Sequence, residues 1–418
     1  MLLKTLLHLM HPSTMIKTDV CIVGAGPAGA TASLFLAKMK IPHVIIDAET
    51  FPRDKVCGDA LDVKAIRILN NLEAGLVEKE ILNDKNFTKS RGIVINISEK
   101  KQAILSVPKN NNDHPYFIVS KRKYFDNFLV SKIEPAYATF LQGTRVEKII
   151  FEENEKKVFA KDDSRSIEIS CKIIVGADGD HSVVLKSLGQ RQINREHYAG
   201  GLRQYWKGIS NVLPDNYVEL YLPKTLPLAY LWIFPLPNGE ANVGCGLLSN
   251  LIAEKSVNLK DLMHTIITKD PVMSYRFKNA EPLEKPVGWG LPLASLGRKA
   301  SGNGWLLTGD AASLICPTTG EGIGPAMRSG YIAAHFIERA VRTNNFSETF
   351  KNYDREIYKD LQGDIKIFER LKKLSPMFYN FFINVVSPSW LCRYYFKKNV
   401  VKWIKTAYER GPVKVNID

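Results

Sequence analysis

The sequence lacks several patterns that would assign it to common classes of protein. Its six cysteines are scattered, with no Cys-x-x-Cys pair, at positions 21, 57, 171, 245, 316 and 392. This spacing argues against a structural zinc site or a disulfide framework and favours a reducing, cytoplasmic compartment. No stretch of about 18 apolar residues occurs, so we predict no membrane-spanning helix. The eight histidines show no ligand spacing, so we predict no metal site.

The overall composition is that of a globular protein with a basic charge balance. The chain has 418 residues, of which 45% are hydrophobic and 24% are charged, enough for about two to three domains with a large core. Lysine and arginine number 57 against 43 acidic residues, so the formal net charge is +14. Such a charge allows phosphate-bearing ligands, anionic lipid or nucleic acid as partners. Because no RNA- or DNA-binding motif accompanies it, we expect no nucleic-acid binding.

The N-terminal part of the chain has the pattern of a dinucleotide-binding βαβ unit. Residues 1–14 are too short for a targeting leader, and we interpret them as an extension, with Met15 as a candidate start. Residues 18–23 then form a short apolar run typical of a buried parallel strand. A glycine-rich turn, a helix-forming segment and a second apolar run at 43–46 follow, and that run ends at Asp47. This order predicts the opening of a doubly wound sheet.

The turn has the sequence Gly24-Ala25-Gly26-Pro27-Ala28-Gly29, and each glycine has a mechanical role. The first permits the tight turn, the second lets backbone N–H groups approach a diphosphate, and the third lets helix and strand pack closely. The diphosphate then lies at the helix N-terminus, where unpaired N–H groups favour negative charge. Asp47 stands where a ribose would form hydrogen bonds. The pattern predicts dinucleotide binding, and Pro27 favours FAD.

Two distant segments support the same prediction. One is Gly176-Ala177-Asp178-Gly179, which follows a buried strand. The other begins at Gly309-Asp310 and continues through a loop that contains Gly320 and Gly322 and ends at Ile323. Glycines let this loop lie close against a flat ring. The following helix points its N-terminus at the ring edge where a reduced flavin carries negative charge.

With these segments the sequence resembles the FAD-dependent oxidoreductases built like para-hydroxybenzoate hydroxylase. The resemblance implies that the segment around Asp178 and Gly179 lies near the FAD diphosphate, and that Asp310 holds the ribityl chain or the diphosphate. It also places Arg122, which precedes Phe125-Asp126, at the cofactor. The residues that we expect to contact FAD are Gly24, Gly26, Pro27, Ala28, Gly29, Asp47, Arg53, Cys57, Gly58, Arg122, Val146, Asp178, Gly179, Asp310, Gly320, Gly322 and Ile323.

Within that superfamily, the sequence resembles the geranylgeranyl reductase family over residues 16–340. Three motifs carry this resemblance: FPRDKVCGD at 51–59, YLWIFP at 230–235 and PTTGEGI at 317–323.

The implied fold class is α/β, with a Rossmann-like FAD-binding domain, an inserted β-rich substrate domain and a helical C-terminus. The predicted FAD-binding segments are 15–85, 118–185 and 291–345, the substrate segments are 86–117 and 186–290, and the helical region is 346–418.

Cys57 and three aromatic residues are candidate substrate-side groups, each with a second interpretation. In the resembling family the loop around Cys57 faces the substrate side of the flavin. Cys57 is therefore a candidate catalytic proton donor or redox partner, made more thiolate-like by nearby Lys55, or else a partly buried packing residue. Tyr230, Trp232 and Phe234 alternate along one strand. They form either an aromatic wall for an apolar substrate or a half-buried face against the other domain.

The resemblance implies an FAD-dependent oxidoreductase that reduces carbon–carbon double bonds of an isoprenoid or other apolar, lipid-like substrate. Because no second Gly-x-Gly-x-x-Gly occurs, NADPH or NADH would bind transiently as reductant, or the electron donor is a protein. The alternative is a monooxygenase or halogenase that acts through a flavin C4a-hydroperoxide. Halogenases of this superfamily carry Trp-x-Trp-x-Ile-Pro, and the stretch here begins with tyrosine and ends Phe-Pro, which counts against them. The sequence makes no prediction of the oligomeric state.

From Pro376 onward, the chain mixes aromatic residues with lysine and arginine. Interfacial helices have this composition, with aromatic rings at the headgroup boundary and cations on anionic lipid. C-terminal helices that pack against their own domain share it and leave their lysines in water. One hypothesis is therefore peripheral association with the inner face of the membrane, and the other is internal packing.

Overall fold

The structure is a computed structural model, and it describes residues 14–98, 101–106, 114–212, 214–223, 226, 228–374, 389–408 and 413–417. In chain order the strands are β1 Thr14–Lys17, β2 Val20–Val23, β3 His43–Ile46, β4 Ala60–Leu61, β5 Thr88–Ser90, β6 Gly92–Ser98, β7 Lys101–Ser106, β8 Phe117–Val119, β9 Ala138–Leu141, β10 Arg145–Phe151, β11 Lys156–Lys161, β12 Ser166–Cys171, β13 Ile173–Gly176, β14 Tyr198–Lys207, β15 Val218–Tyr221, β16 Tyr230–Pro235, β17 Glu240–Leu248, β18 Glu281–Pro282, β19 Val287–Pro292, β20 Ser301–Gly302 and β21 Trp305–Leu307. The α-helices are α1 Pro27–Lys38, α2 Val63–Leu72, α3 Arg122–Ser131, α4 Val183–Ser187, α5 Ser249–Glu254, α6 Leu259–Lys269, α7 Pro271–Phe277, α8 Ile323–Thr343, α9 Phe346–Phe350, α10 Tyr353–Tyr358, α11 Gln362–Lys372 and α12 Trp390–Tyr408.

A six-stranded sheet with the order β20-β21-β13-β2-β3-β9 forms the centre of the nucleotide-binding half. The strands from β21 to β9 run parallel to one another. Both β2 and β3 are buried at every residue, which explains their uninterrupted apolar sequences. Helices α1 and α8 pack against each other beside this sheet.

A four-stranded sheet, β1-β12-β11-β10, extends the same half. Thr14 of β1 pairs in parallel with Ile167 of β12, so the pairing begins one residue before the boundary that we place at Met15. The sequence predicts one strand over residues 18–23, whereas β1 ends at Lys17 and β2 begins two residues after Thr18. The sequence analysis predicts no strand at β1, whose alternating, half-buried residues lie at the edge of this sheet.

A second sheet, with the order β18-β14-β17-β16-β15-β6-β7, forms the other half, and β19 also pairs with β14. Most neighbours are antiparallel, while β15 and β6 are parallel. Both segments that we assign to the substrate domain contribute strands to this sheet. The boundary that we place at residue 290 falls inside β19, which ends at Pro292.

Three short helices, α5 to α7, interrupt a region where the sequence analysis predicts mainly antiparallel strands. The side chain of Asn258 caps the first turn of α6, and that of Asp270 caps α7 with Pro271 at its first position. These are ordinary helix start signals. Met263 and Ile266 of α6 pack with residues of the second sheet in one apolar cluster, which holds these helices against the sheet.

The described C-terminal region is helical, and its last helix packs on the nucleotide-binding half. Ile404 of α12 is fully buried, and the Asn70 side chain of α2 donates to the Ala407 carbonyl oxygen at 3.3 Å. Residues 375–388, where the aromatic-basic tail begins, lie outside the described residues. Among the helices that the structure describes, none is both long enough and apolar enough to cross a membrane.

Candidate active site

Three turns that follow neighbouring parallel strands, β2, β13 and β21, meet at one edge of the six-stranded sheet. Two glycines show how closely these turns pack. A Cβ atom added at Gly24 would lie only 2.4 Å from the carbonyl oxygen of Ala177, and one added at Gly309 would lie 3.2 Å from the Cβ of Ala28. Ligands of doubly wound folds bind at this carboxyl edge. The structure therefore brings together three of the segments predicted to contact the cofactor.

The glycine turn leaves the start of α1 open to an anion. Gly26 is the N-cap and offers no side chain to the first-turn N–H groups, and Pro27 is the first helical residue. Gly24 has φ +100°, and Gly29 packs so closely that a Cβ there would lie 1.8 Å from the Gly24 carbonyl oxygen. N–H groups without a protein acceptor at a helix N-terminus favour a bound anion. This arrangement fits a diphosphate, although the individual contacts stay a prediction.

Asp47 lies just after β3 and also holds the glycine turn in place. Its Oδ2 accepts a hydrogen bond from the Ala25 N–H at 2.7 Å, and its Oδ1 accepts one from the Glu49 N–H at 2.9 Å. Burial raises the pKa of this carboxyl, and the two backbone N–H groups act in the opposite direction. Because a carboxylate oxygen can accept more than one hydrogen bond, the predicted ribose contact is compatible with this role.

Asp178 and Gly179 lie after β13 beside the glycine turn. The Oδ2 atom of Asp178 accepts from the Val183 and Val184 N–H groups at 2.7 and 3.2 Å, so this carboxylate also caps α4. The sequence analysis missed the capping role, although Ser182, which caps the same helix, was a signal for a helix start. The Oδ1 atom of Asp178 is buried and has no hydrogen-bond partner among the described residues.

The predicted residues Arg53 and Arg122 share one carboxylate, that of the fully buried Asp126. Arg122 donates to its two oxygens from Nε at 2.6 Å and from Nη2 at 2.7 Å, and Arg53 Nη1 donates at 2.7 Å. A Cβ on Gly26 would lie 3.8 Å from Arg53 Nη2, so Arg53 stands beside the glycine turn. Two guanidinium groups against one carboxylate leave an excess of positive charge that suits an anionic ligand.

Cys57 lies beside Arg122. Burial raises the pKa of its thiol, and the charge of Arg122 and the backbone N–H of Asp59 act in the opposite direction. The expectation that Lys55 makes Cys57 more thiolate-like is therefore wrong, because burial outweighs the neighbouring positive charge. At neutral pH the group is a thiol that can hold a proton.

Lys55 carries a buried ammonium group that has no hydrogen-bond partner among the described residues. Its Nζ lies 3.0 Å from the centre of the Trp289 ring. Burial lowers the pKa of Lys55 to about 8, while the charge of Asp310 acts in the opposite direction. Burial also raises the pKa of Asp310. Buried polar groups without partners are rare in native proteins, so Lys55 and the free Oδ1 of Asp178 fit a site completed by a polar ligand such as FAD.

Val146 lies on β10 of the four-stranded sheet. It pairs with Ala160 at an irregularity in the strand pairing and is buried in the main core. Its contact with FAD stays a prediction.

The loop at 317–323 leads into α8 and is closed on one side by an aromatic hydroxyl. Gly320 has φ +73°, and the Tyr230 hydroxyl occupies the space where a Cβ would lie. The same hydroxyl donates to the Thr319 carbonyl oxygen at 3.1 Å. Gly322 is the N-cap of α8, and Ile323, its first residue, is buried. The three residues predicted here therefore lie together at a helix start.

A cluster of buried charge at this helix start was missed by the sequence analysis. One oxygen of Glu321 accepts from the Gly324 N–H, and the other, Oε2, is buried without a hydrogen-bond partner among the described residues. Burial and the charge of Asp62 raise the pKa of Glu321 to about 8, and Lys64 acts in the opposite direction. Burial thus favours the uncharged form of Glu321. The cluster joins residues from two distant parts of the chain, so no local sequence signal marks it.

The aromatic side chains of Tyr230, Trp232 and Phe234 lie along one face of β16. Successive ring centres are 5.8 and 6.3 Å apart. A Cβ on Gly58 would lie 3.2 Å from the Phe234 ring, so the loop that carries Cys57 packs against this aromatic wall.

An apolar cavity of about 220 Å³ lies at the Tyr230 end of the wall. Gly246 and Leu248 of β17, Gly320 of the loop and Phe368 of α11 are among the residues that line it. The cavity therefore lies where the second sheet, the loop before α8 and the C-terminal helices meet.

Comparison with known proteins of similar sequence identifies the family of this chain. Residues 17–220 match the family of FAD binding domains. A digeranylgeranylglycerophospholipid reductase of Thermoplasma acidophilum is 30% identical over 345 residues, which cover 81% of this chain and 83% of that protein. The chain belongs to the geranylgeranyl reductase family of FAD-dependent oxidoreductases. The predicted family, the oxidoreductase class and FAD as the cofactor are thereby confirmed.

A further sequence relative and two solved structures resemble the chain over most of its length. The chain is 28% identical to the menaquinone reductase of Mycobacterium tuberculosis over 331 residues, 77% of each protein. A geranylgeranyl bacteriochlorophyll reductase-like structure from Thermoplasma acidophilum has a TM-score of 0.74 at 24% identity, and the match covers 94% of this chain and 100% of that one. A flavin-dependent brominase has a TM-score of 0.73 at 20% identity, covering 93% and 94%. These structures confirm the predicted α/β fold class.

Replacing Asp310 with alanine should weaken FAD binding by about tenfold, the effect of losing one hydrogen bond that involves a charged group. The FAD-to-protein absorbance ratio after gel filtration and a titration of the apoprotein would measure it. Asp163→Ala, at an exposed turn, is the matched control. An Asp310→Ala variant that purifies with a full complement of FAD would refute the predicted contact.

Proposed function

We propose that this family member reduces carbon–carbon double bonds in an isoprenoid chain, or in a similar apolar chain of a lipid-like substrate. The observation that carries the proposal is the apolar cavity beside Tyr230 and Gly320. It adjoins the loop that begins α8, where FAD is predicted to bind. A concave apolar site with few polar groups suits a hydrocarbon chain. The names of the two sequence relatives, both reductases of isoprenoid-bearing lipids, support the same substrate class.

In this proposal, some residues of the chain bind FAD and others contact the substrate. FAD, when bound, supplies the hydride that reduces the double bond. The open turn of α1, Arg53 and Lys55 would hold its anionic part, and Asp310 its polar chain. The aromatic wall and the cavity exclude water from the reacting region, which strengthens the electrostatic interactions there. Cys57, which is a thiol at neutral pH, would supply the proton that the second carbon requires.

We propose NADPH or NADH as the reductant. The nucleotide would bind transiently, because the chain has one Gly-x-Gly-x-x-Gly fingerprint and FAD accounts for it. The unpaired cysteines of the described residues support a reducing compartment, and hence the cytoplasmic side of the membrane, where both nucleotides are available.

An anaerobic assay of the FAD-loaded protein tests the function. With NADPH and a digeranylgeranylglycerophospholipid or menaquinone, mass spectrometry should find products that gain two hydrogen atoms for each reduced double bond. Oxygenated or halogenated products formed only in air would contradict the proposal and favour the monooxygenase alternative.

A substitution inside the cavity should affect the lipid substrate selectively. Gly246→Leu adds a side chain where the nearest atoms to a Cβ are 3.6 and 4.0 Å away, so it fills the cavity without a backbone clash. We expect kcat/KM for the lipid to fall by about tenfold or more, since an apolar pocket discriminates by about 1–3 kcal/mol per group, while NADPH oxidation with a soluble electron acceptor is unchanged. Gly363→Leu, at an open helix position, is the control. Equal kcat/KM values for the two variants would place the substrate elsewhere.

Replacing Cys57 with serine should slow the reduction of the substrate more than the reduction of FAD. Serine keeps the size of the group but is a much weaker acid, and general acid catalysis contributes about 10²–10⁴-fold. Stopped-flow absorbance measures the two half-reactions separately. If both half-reactions keep wild-type rates, Cys57 is a packing residue.

We also propose that α12 attaches the protein to the membrane surface. Four apolar or aromatic side chains in its first turns are exposed, Trp390 by 72% and Tyr395 by 65%, and three lysines further along are exposed too. At about 100° per residue, all of them fall within an arc of about 140°. The residues of this exposed stripe are Trp390, Leu391, Tyr394, Tyr395, Lys398, Lys402 and Lys405. Aromatic side chains followed by lysines suit the headgroup region of anionic lipid.

Replacing the four apolar and aromatic residues of the stripe with serine should reduce binding to phosphatidylglycerol vesicles by tenfold or more, since each contributes apolar surface to the interface. Co-sedimentation with the vesicles measures this binding. Tyr275→Ser, an exposed tyrosine elsewhere, is the control. Unchanged sedimentation of the fourfold variant would support internal packing instead.

A further inference from the structure

A buried carboxylate lies directly behind the loop that carries Cys57. Asp59 is fully buried and has φ +68°, a conformation that few residues other than glycine adopt without support. Its Oδ2 accepts hydrogen bonds from the Tyr205 hydroxyl at 2.7 Å and from the Asn242 side chain at 2.8 Å. Its Oδ1 is buried and has no partner among the described residues. This carboxylate thus joins one loop of the nucleotide-binding half to two strands of the second sheet.

From its position on β17, Asn242 makes two further connections. Its Nδ2 donates to the Cys57 carbonyl oxygen at 2.7 Å as well as to Asp59. Its Oδ1 accepts from Trp232 Nε1 at 2.8 Å. The orientation of Trp232 in the aromatic wall and the position of Cys57 therefore depend on the same amide group.

The hydrogen bond from Tyr205 to Asp59 is reinforced by positive charge on the tyrosine ring. The guanidinium carbon of Arg203 lies 4.0 Å from the ring centre, and Lys121 Nζ lies 4.5 Å from it. Cations against a phenol ring are attracted to it and make its hydroxyl a stronger donor. Arg203 is held by Asp54 at 2.7 Å and by Glu284.

We infer that Asp59 is a positioning residue, and that its ionised carboxylate clamps the Cys57 loop against the aromatic wall through Asn242 and Tyr205. The inference rests on the proposed function, in which Cys57 and the wall face the same substrate. Protonation at the unpartnered Oδ1 removes the charge that strengthens both hydrogen bonds. The clamp is then weaker, and the loop opens more often.

The charge of Asp59 changes in a measurable pH range. Burial raises its pKa to about 6, while Asn242, Tyr205, Arg203 and Arg122 act in the opposite direction. Since the carboxylate is the clamping form, the clamp is present above this value and is lost as the pH falls through it.

The accessibility of Cys57 to N-ethylmaleimide tests the clamp in the FAD-loaded full-length protein, with the modified peptide quantified by mass spectrometry. We expect Asp59→Asn to react about tenfold faster than the wild type at pH 7.5, the effect of replacing a charge-assisted hydrogen bond by a neutral one. The ratio should fall towards one at pH 5, where the wild-type carboxylate is protonated too. Asp59→Ala should react faster than wild type at both values.

Two further variants separate the clamp from a simple effect of charge on the thiol. Asn242→Ala and Tyr205→Phe leave the charge unchanged but remove the tethers, so both should also react several-fold faster. Tyr221→Phe removes a hydroxyl that donates to Asp270 in the same half of the protein and should react like the wild type. If Asn242→Ala labels at the wild-type rate, or if no variant exposes Cys57, the clamp is refuted. These readouts need no lipid substrate, so they fail or succeed independently of the proposed reaction.

Discussion

The close approach of α1 to the end of β2 fixes the position of everything else in the site. Gly29 touches the Gly24 carbonyl oxygen, and Gly24 touches the backbone of Ala177, so any side chain at either glycine would push the helix or the next strand away. Because of these contacts, the start of α1, the cap of α4 and the turn after β21 occupy one small region. The start of α1, the Asp178 carboxylate and Asp310 then lie close together.

The features that the sequence predicts best are those with a local physical cause. The glycine turn, Asp47 and the buried strands β2 and β3 depend on residues within one βαβ unit, and their pattern identifies them. Helices α6 and α7 also had local signals, at Asn258 and Asp270. They were missed because the surrounding aromatic runs suggested strands alone. Strand β1 was not predicted, because its residues alternate and are only half buried, and it belongs to a different sheet from the apolar run of β2 that follows it.

The features that the sequence does not predict depend on contacts between distant segments. Asp126 accepts from Arg122 of its own helix and also from Arg53 of a distant loop, and Glu321 meets Asp62 and Lys64 only in the folded protein. The state of Cys57 is the clearest example. Its neighbour in sequence, Lys55, suggests a thiolate, but burial in the folded protein raises the pKa of the thiol. Desolvation is a property of the whole packing arrangement, and no short motif encodes it.

Burial also gives the site its chemical character. Burial raises the pKa of Glu321 and of Cys57 and lowers the pKa of Lys55, so in each case it favours the uncharged form. The apolar cavity continues this environment towards α11, and α12 carries its exposed aromatic residues at the surface. A hydrocarbon chain that leaves a membrane for this cavity would exchange one apolar medium for another. The cost of exposing that chain to water falls if the protein rests on the lipid surface while the transfer occurs.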